Sequence, residues 1–212
     1  MNVIGVVVKS DTENSMQLDE RFVKDSLKKV SIIFNNFPQN LSFSVDTRTL
    51  NPGDIFVAIE GEFQDGHTFI KEALQKGAAG CIIAESKQHF IIDLSDILQT
   101  KLLIAVPDTV KALVDLAHAW RMQFKGEVVG VTGSVGKTST KQYIDMILSH
   151  ANISHIVSQG NQNTKIGAAI NLLRLRPEHQ VAVVELGISK RGEMAELADL
   201  SRPTSAVITN VG

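Results

Sequence analysis

Short apolar runs alternate with amphipathic segments over residues 41–106. Asn51-Pro-Gly-Asp54 predicts a turn, and residues 68–76 have the spacing of a helix that ends at Gly77. Further upstream, residues 22–33 have the pattern of a short helix. Four runs have the length and composition of buried strands: residues 41–45, 55–59, 81–84 and 102–106. Strands and helices in alternation predict a mostly parallel sheet with both faces covered.

A second series of elements follows the segment 108–124, whose apolar positions share one helical face, with Asp108 as the expected cap. Trp120 belongs to that apolar stripe, so we expect it in the core rather than on a ligand. Beyond this segment the pattern predicts four strands, at residues 128–131, 154–157, 181–184 and 205–209. Helices are expected after the glycine-rich turn at 133–136 and over residues 166–173 and 193–200.

These patterns predict an α/β protein of two domains. Residues 1–107 would form a small N-terminal α/β substrate-binding domain, and residues 108–212 a P-loop-type parallel-sheet ATPase domain. An open α/β nucleotide domain usually has about five strands or more. Because the second unit supplies four predicted strands, we expect that domain to be incomplete.

The amino-acid composition and net charge limit the classes of protein to which the chain could belong. The chain has 212 residues, of which 43% are hydrophobic and 21% charged, as in a folded globular protein. A net charge of −2 argues against a nucleic-acid partner. The single cysteine, Cys81, lies in an apolar run and is expected to be a buried hydrophobe. The apolar start at 1–9 is too short for a signal peptide or a membrane span, so we expect a cytoplasmic location without a membrane partner. We also expect the protein to be a monomer.

The segment from Glu127 to Ser139 is the most informative about function. Its sequence predicts an apolar strand, a glycine-rich turn and the start of a helix. Such turns hold nucleotide phosphates, because glycines let successive N–H groups face the phosphate oxygens and the helix adds its positive end. The spacing GxxGxxGKTS departs from the general P-loop pattern, since Val131 replaces a glycine. A glycine turn without a ligand is the structural alternative. The candidate phosphate-binding residues are Thr132, Gly133, Ser134, Val135, Gly136, Lys137, Thr138 and Ser139.

Glu185 ends the apolar run 181–184 and is the candidate partner of the glycine-rich turn. Ligands of open parallel sheets collect beyond the carboxyl ends of the strands, where both segments are expected. We therefore predict that Thr138 and Glu185 hold Mg²⁺, directly or through water, while Lys137 contacts the β and γ phosphates. The alternative is that Glu185 only caps or solvates the end of its strand.

Two further loops are candidates on weaker grounds. The loop 160–163 offers uncharged hydrogen-bonding side chains suited to a peptide or sugar, although asparagine is also common in turns. Asp46-Thr-Arg48 follows a predicted strand and, together with the glycine-containing loop 61–67, could grip a second phosphate or a base. A purely structural ion pair between Asp46 and Arg48 is an equal alternative.

Read together, these segments resemble the ATP-dependent Mur ligases of bacterial cell-wall synthesis over residues 41–212. In the first unit the resemblance rests on Val45-Asp-Thr-Arg48, Asn51-Pro-Gly-Asp-Ile-Phe-Val-Ala-Ile59, Gly61, Asp65-Gly-His67, Phe69-Ile70 and Lys76-Gly-Ala-Ala79. In the second it rests on Thr132-Gly-Ser-Val-Gly-Lys-Thr138, Gly160-Asn-Gln-Asn-Thr-Lys-Ile-Gly167, Glu185-Leu-Gly187, Gly192-Glu193, Arg202-Pro203 and Ile208-Thr-Asn-Val-Gly212. The second set is most similar to the member that joins D-Ala-D-Ala to UDP-N-acetylmuramoyl-tripeptide.

The resemblance implies an activity and a set of roles. ATP would phosphorylate the tripeptide carboxylate, and the amine of D-Ala-D-Ala would attack the resulting acyl phosphate. Lys137 and Glu185 would be the catalytic residues, and ATP and Mg²⁺ the cofactors. The implied substrate-binding residues are Asp46, Thr47, Arg48, Gly61, Gln64, Asp65, Gly66, His67, Asn161 and Asn163.

The sequence also departs from the family pattern. Thr47 stands where serine is common, Thr164 where a second asparagine is frequent, and residues 188–191 differ enough that no contact is carried over. The Ala-His pair, the carbamylated lysine, the adenine-binding segment and the C-terminal domain of the family are not found, so we expect this chain alone to bind nucleotide weakly and to form no product.

Three other functions are alternatives for this sequence. The sister ligase that adds the third amino acid is disfavoured, because its Thr-Thr-Pro and Ser-Ser-His segments are not found in this sequence. A non-catalytic module that binds nucleotide sugars remains an alternative. A P-loop hydrolase acting as a switch has only the glycine-rich turn in its support.

Overall fold

The computed structural model describes residues 16–160 and 162–211, in which two sheets are present. The first sheet has five strands, in the spatial order β1-β5-β4-β3-β2. β1 runs antiparallel to β5, and the other neighbours are parallel. The strands are β1 (Ser31–Asn35), β2 (Phe43–Ser44), β3 (Ile55–Val57), β4 (Gly80–Ala84) and β5 (Leu102–Val106).

The second sheet has four parallel strands in the order β7-β8-β6-β9. They are β6 (Glu127–Thr132), β7 (His155–Val157), β8 (Val181–Glu185) and β9 (Ser205–Ile208). The helices of both units are α1 (Glu20–Ser26), α2 (Ile70–Gln75), α3 (Ser95–Leu98), α4 (Thr109–Gln123), α5 (Lys137–His150), α6 (Lys165–Leu173) and α7 (Glu193–Ser201). The predicted α/β architecture with mostly parallel sheets is confirmed.

The prediction of a single helix over residues 22–33 is correct for its first part and wrong for its last part. α1 covers its first part, with the Asp19 carboxylate accepting from the N–H of Phe22, but residues 31–35 form β1. Ser31-Ile-Ile-Phe34 is rich in β-branched and aromatic residues, and it gains backbone hydrogen bonds to the edge of β5 that a helix would not reach. The sequence pattern predicts no element for residues 85–98, which form a 3₁₀ helix followed by α3.

The central strands of the first sheet are covered on both faces. In β5, Leu102, Ile104 and Val106 belong to one apolar cluster, whereas Leu103 and Ala105 belong to a second cluster beneath α2 and α3. This alternation follows from the two-residue period of a strand. Every residue of β5 is buried, so its apolar run lacks the polar alternation of a half-exposed strand.

α4 joins the two units. Its cap is Asp108, as predicted, whose carboxylate accepts from the N–H of Lys111 at 2.9 Å. Trp120 is buried in the cluster that both units share, and its indole N–H donates to the carbonyl of Leu175. Arg121 donates to the carbonyls of Ser201 and Arg202 at the end of α7. The expectation that Trp120 is a core residue is confirmed.

Cys81 is fully buried in β4, as expected from its apolar neighbours. Burial raises the pKa of its thiol to about 12, so the sulfur stays protonated and unreactive at neutral pH. Among the described residues, no helix is both long and apolar enough to cross a bilayer.

Candidate active site

The glycine-rich turn connects β6 to α5. Thr132 is the last residue of β6, and Lys137 is the first of α5. Gly133 has φ +134° and Gly136 has φ +88°, both in the region that favours glycine. A Cβ at Gly133 would lie 2.2 Å from the Thr209 hydroxyl oxygen, so that position also needs glycine because of the close approach.

The segment after β9 supports this turn from outside. Thr209 donates its hydroxyl to the carbonyl of Val135, and the N–H of Ser134 donates to the carbonyl of Asn210. The Lys137 ammonium folds back onto the turn, donating to the carbonyl of Gly133 at 2.6 Å. The eight predicted phosphate-binding residues therefore lie on one continuous strand, turn and helix start.

Glu185 ends β8, beside β6, and its side chain reaches the start of α5. Its carboxylate is 2% exposed. The Thr138 hydroxyl donates to the two carboxylate oxygens at 3.2 and 3.4 Å, and the Asn163 amide donates to Oε1 at 3.1 Å. The predicted proximity of Thr138 and Glu185 is thus present, and both offer the hard oxygen donors that Mg²⁺ prefers.

Lys141 is the functional candidate that the sequence reasoning missed. It lies one helical turn after Lys137, and its side chain is buried. Its ammonium is 3.1 Å from Glu185 Oε2 and donates to the carbonyl of Gly160 at 2.8 Å. The spacing of four residues from Lys137 was the available signal, because it places both lysines on the same side of the helix.

The loop between β7 and α6 is fixed to this site from several sides. Ser158 accepts from the N–H of Glu185, and Asn163 accepts from the N–H of Gly187 through its carbonyl. A Cβ at Gly187 would lie 2.7 Å from the Asn163 side chain, so glycine permits this close contact. Asn163 thus faces Glu185, while the predicted substrate residue Asn161 lies outside the described residues.

A cavity of about 550 Å³ opens at the carboxyl ends of the first-unit strands. This is within the usual range for a small-molecule pocket. Six of the predicted substrate-binding residues line it: Asp46, Thr47, Arg48, Gly61, Gln64 and Gly66. Glu72, which was not among the predicted residues, lines it as well. The apolar lining by Phe56, Ile59, Phe69 and Ile166 was not predicted, although all four residues lie within the segments that resemble the family.

Asp46 and Arg48 form the ion pair that the sequence left open. The Arg48 guanidinium donates to both oxygens of Asp46, at 2.6 to 3.1 Å, and is 85% exposed. The side-chain hydrogen bond from Arg48 lowers the pKa of Asp46. Because the guanidinium is largely solvated, it keeps donors that an anionic ligand in the cavity could use.

Asp65 and His67 stand behind the cavity wall rather than in it. The His67 ring is buried, with Nδ1 2.6 Å from Asp65 Oδ1 and Nε2 accepting from the N–H of Ala84. Although burial alone would raise the pKa of Asp65, hydrogen bonds from Lys87 and His67 lower it to about 2. These contacts shape the loop 61–67, so a role in holding the cavity wall fits both residues better than direct ligand contact.

A second cavity, of about 250 Å³, lies beside the glycine-rich turn. Lys137, Asn163, Lys165, Gly187 and Glu193 are among its lining residues. The first turn of α6 separates the two cavities, since Lys165 lines the second and the next residue, Ile166, lines the first. The two candidate sites are therefore neighbours.

Comparison with known proteins agrees with this geometry. Residues 42–121 match the Mur ligase family catalytic domain, and residues 131–212 match the Mur ligase middle domain. The chain belongs to the Mur ligase family. In this Mur ligase chain the first match covers β2 to β5, four of the five strands of the sheet with the larger cavity. The second match begins within β6 and includes the glycine-rich turn.

Three individual proteins illustrate which members of the family this chain is similar to. A UDP-N-acetylmuramoyl-tripeptide–D-alanyl-D-alanine ligase of Synechocystis is 38% identical over 191 residues, which cover 90% of this chain and 40% of that ligase. A crystal structure of MurF from Acinetobacter baumannii superposes with a TM-score of 0.74 at 30% identity, covering 91% of this chain and 40% of that one. MurF of Thermotoga maritima, crystallised with ADP, gives 0.64 at 35% identity, covering 81% and 38%. The Mur ligase chain thus spans about two fifths of the length of these relatives.

Proposed function

We propose that this chain carries the nucleotide-binding part of an ATP-dependent ligase that joins D-Ala-D-Ala to UDP-N-acetylmuramoyl-tripeptide. The observation that supports it most is the adjacency of two cavities across the first turn of α6. One has an exposed arginine at the ends of its strands, and the other borders the glycine-rich turn and Lys137. A substrate with a nucleotide at one end and a carboxylate at the other would fit such a pair.

The first cavity is the proposed site of the uridine diphosphate part. Arg48 would donate to a phosphate oxygen, while Asp46 keeps its guanidinium oriented. Gly61, Gln64 and Gly66 would contact the ligand, and Asp65 and His67 would hold their loop. Phe56, Ile59, Phe69 and Ile166 would cover the apolar faces of the base and sugar.

The second cavity is the proposed site of phosphoryl transfer. The turn from Thr132 to Gly136 would direct backbone N–H groups at the ATP phosphates, and Ser139 lies on the first turn of the helix behind them. Lys137 would leave the carbonyl of Gly133 and donate to the transferring phosphoryl group. Thr138 and Glu185 would hold Mg²⁺, which neutralises phosphate charge when it is bound.

The chemistry divides into two transfers. In the first, an oxygen of the tripeptide carboxylate attacks the γ-phosphorus of ATP, so the bond to the β-phosphate oxygen breaks and ADP leaves. In the second, the amine of D-Ala-D-Ala attacks the acyl carbon, phosphate leaves, and the nitrogen loses a proton as the amide forms. Asn163, which faces both Glu185 and the cavity, and Asn161 are proposed to position the carboxylate end.

The domain boundary, the oligomeric state, the location and the partners remain proposals that accompany this function. We place the domain boundary at 107/108, supported by α4 docking onto Leu175 and the end of α7 through Trp120 and Arg121. We also propose that the protein works as a monomer in the cytoplasm, without a nucleic-acid or membrane partner.

Calorimetric titration with UDP-N-acetylmuramoyl-tripeptide tests the substrate assignment. Arg48→Ala should weaken binding at least about tenfold, because a charge-assisted hydrogen bond to phosphate is lost. Arg21→Ala is the matched control, since Arg21 is also exposed and paired with an aspartate, in α1. Equal affinities of the Arg48→Ala variant and the wild type would show that the uridine diphosphate part does not bind in this cavity.

A further inference from the structure

The Lys141–Glu185 pair sits where the proposed function places a metal. Both side chains are almost fully enclosed, at 5% and 2% exposure. The Glu185 carboxylate also accepts hydrogen bonds from the side chains of Thr138 and Asn163, which carry no charge. The charges of this enclosed group therefore cancel.

Charge cancellation has a consequence for cation binding. A divalent ion gains little from a carboxylate whose charge is already balanced 3.1 Å away, and Mg²⁺ gives up its water reluctantly. Nucleotide phosphates change that balance, because they bring several negative charges to the turn beside Thr138. A cation that arrives with the phosphates would thus find a favourable site, whereas a free cation would not.

Lys141 also fixes the geometry of the site. Its second hydrogen bond, to the carbonyl of Gly160, ties the loop after β7 to α5. Asn163 of the same loop donates to Glu185 Oε1, while Lys141 contacts Oε2. The carboxylate is therefore held by one group on each oxygen, in addition to Thr138.

We propose that Lys141 is a positioning residue that makes metal binding at Thr138 and Glu185 depend on the nucleotide. It orients the Glu185 carboxylate and cancels its charge, so the site excludes free divalent cations and accepts one that is carried by the phosphates. This inference rests on the proposed function, because it takes Thr138 and Glu185 as the metal site.

Mn²⁺ titration followed by electron paramagnetic resonance tests it on the full chain without nucleotide. Lys141→Gln keeps a hydrogen-bond donor and removes the charge, so it should bind free Mn²⁺ at least about tenfold more tightly than the wild type. Lys141→Arg keeps the charge and should bind as weakly as the wild type. Combining Lys141→Gln with Glu185→Gln should abolish the gain.

Lys111→Gln is the matched control, since Lys111 is an exposed helical lysine paired with Asp115. It should not change Mn²⁺ affinity. Among the residues described, no group of three or more histidine, cysteine or acidic side chains offers another metal site, so background binding should be low. A merely structural role for Lys141 would lower stability without creating affinity for Mn²⁺.

A parallel titration with ATP separates the two hypotheses. Wild-type Mn²⁺ binding that requires ATP, together with no gain in Lys141→Gln, would overturn the role of Lys141 and leave the proposed function intact. No Mn²⁺ binding by any variant, with or without ATP, would overturn the metal site itself. If Lys141→Gln does not fold, the wild type decides: free Mn²⁺ binding that Glu185→Gln abolishes contradicts the inference, and its absence with ATP-dependent binding supports it.

Discussion

Both units place an ion pair beyond the ends of their parallel strands, but in opposite surroundings. Asp46 and Arg48 follow β2 and are in contact with water, the guanidinium being 85% exposed. Glu185 at the end of β8 and Lys141 in α5 are enclosed. An exposed pair costs little to separate and can exchange its partner for a ligand, whereas a buried pair is part of the folded structure. The ion pair of the first unit is thus exposed to a ligand, whereas the ion pair of the second unit is shielded from solvent.

The largest effect should follow from breaking the buried pair. Glu185→Ala leaves the Lys141 ammonium enclosed without its carboxylate, so the free energy of unfolding should fall by about 3–5 kcal/mol. Asp46→Ala, its counterpart in the first unit, should change it by no more than about 1 kcal/mol. Urea unfolding monitored by Trp120 fluorescence measures both.

An apolar replacement of both partners provides the control for this prediction. The double variant Lys141→Met with Glu185→Leu should recover most of the lost stability, because no unpaired charge remains buried. A double variant as unstable as Glu185→Ala would show that lost packing, not the unpaired ammonium, causes the effect.

The next effect concerns Asp65, whose pKa is lowered to about 2 by hydrogen bonds that outweigh its burial. A depressed pKa contributes stability above the unfolded value of 3.8, and the contribution disappears as pH falls through about 2. Asp65→Asn should therefore cost about 2 kcal/mol at pH 7 and almost nothing near pH 2. Equal losses at both values of pH would mean that ionisation of Asp65 does not matter. Asp93→Asn, at an exposed position of the first unit, is the control.

The smallest effect has the opposite pH dependence and lies in the second unit. The hydrogen bond to the carbonyl of Ile153 raises the pKa of His155, against a smaller effect of burial, and Asp145 raises it further. This contribution to stability is fully present below the unfolded value of 6.5 and is lost as pH rises through the higher folded value. His155→Asn should flatten the stability profile in that range, as measured by urea unfolding from pH 6 to 9.

His89→Asn is the control for this measurement, since His89 is exposed in the first unit. It should leave the pH profile of the wild type unchanged. If His155→Asn and His89→Asn give the same profile, the hydrogen bonds of His155 do not stabilise its charged form.

Much of the fold follows from local pattern. β5 and the cap of α4 lie where the apolar runs and Asp108 predicted them, because a continuous buried strand and a capped amphipathic helix are encoded by neighbouring residues. The glycine-rich turn was predictable for the same reason, since its two positive φ angles fall on Gly133 and Gly136.

The failures share a dependence on distant partners. Ser31–Asn35 becomes a strand through pairing with β5, about seventy residues later, which no local pattern reveals. Lys141 meets Glu185 only because α5 packs beside β8, and an isolated lysine on a helix usually indicates a solvated face. The apolar lining of the first cavity was missed likewise, since Ile166 comes from the other unit.

Because the thiol of Cys81 is buried, a cysteine introduced near either cavity could be labelled selectively for spectroscopy. Alkylating reagents attack thiolates, and this thiol is both enclosed and protonated at neutral pH. A cysteine introduced at Phe63, which is 91% exposed next to the cavity residue Gln64, would therefore be the one reactive thiol of the chain. A second labelled variant at exposed Val135 would place the same fluorophore on the glycine-rich turn. Each ligand could then be followed at its own end of the molecule without removing the natural cysteine.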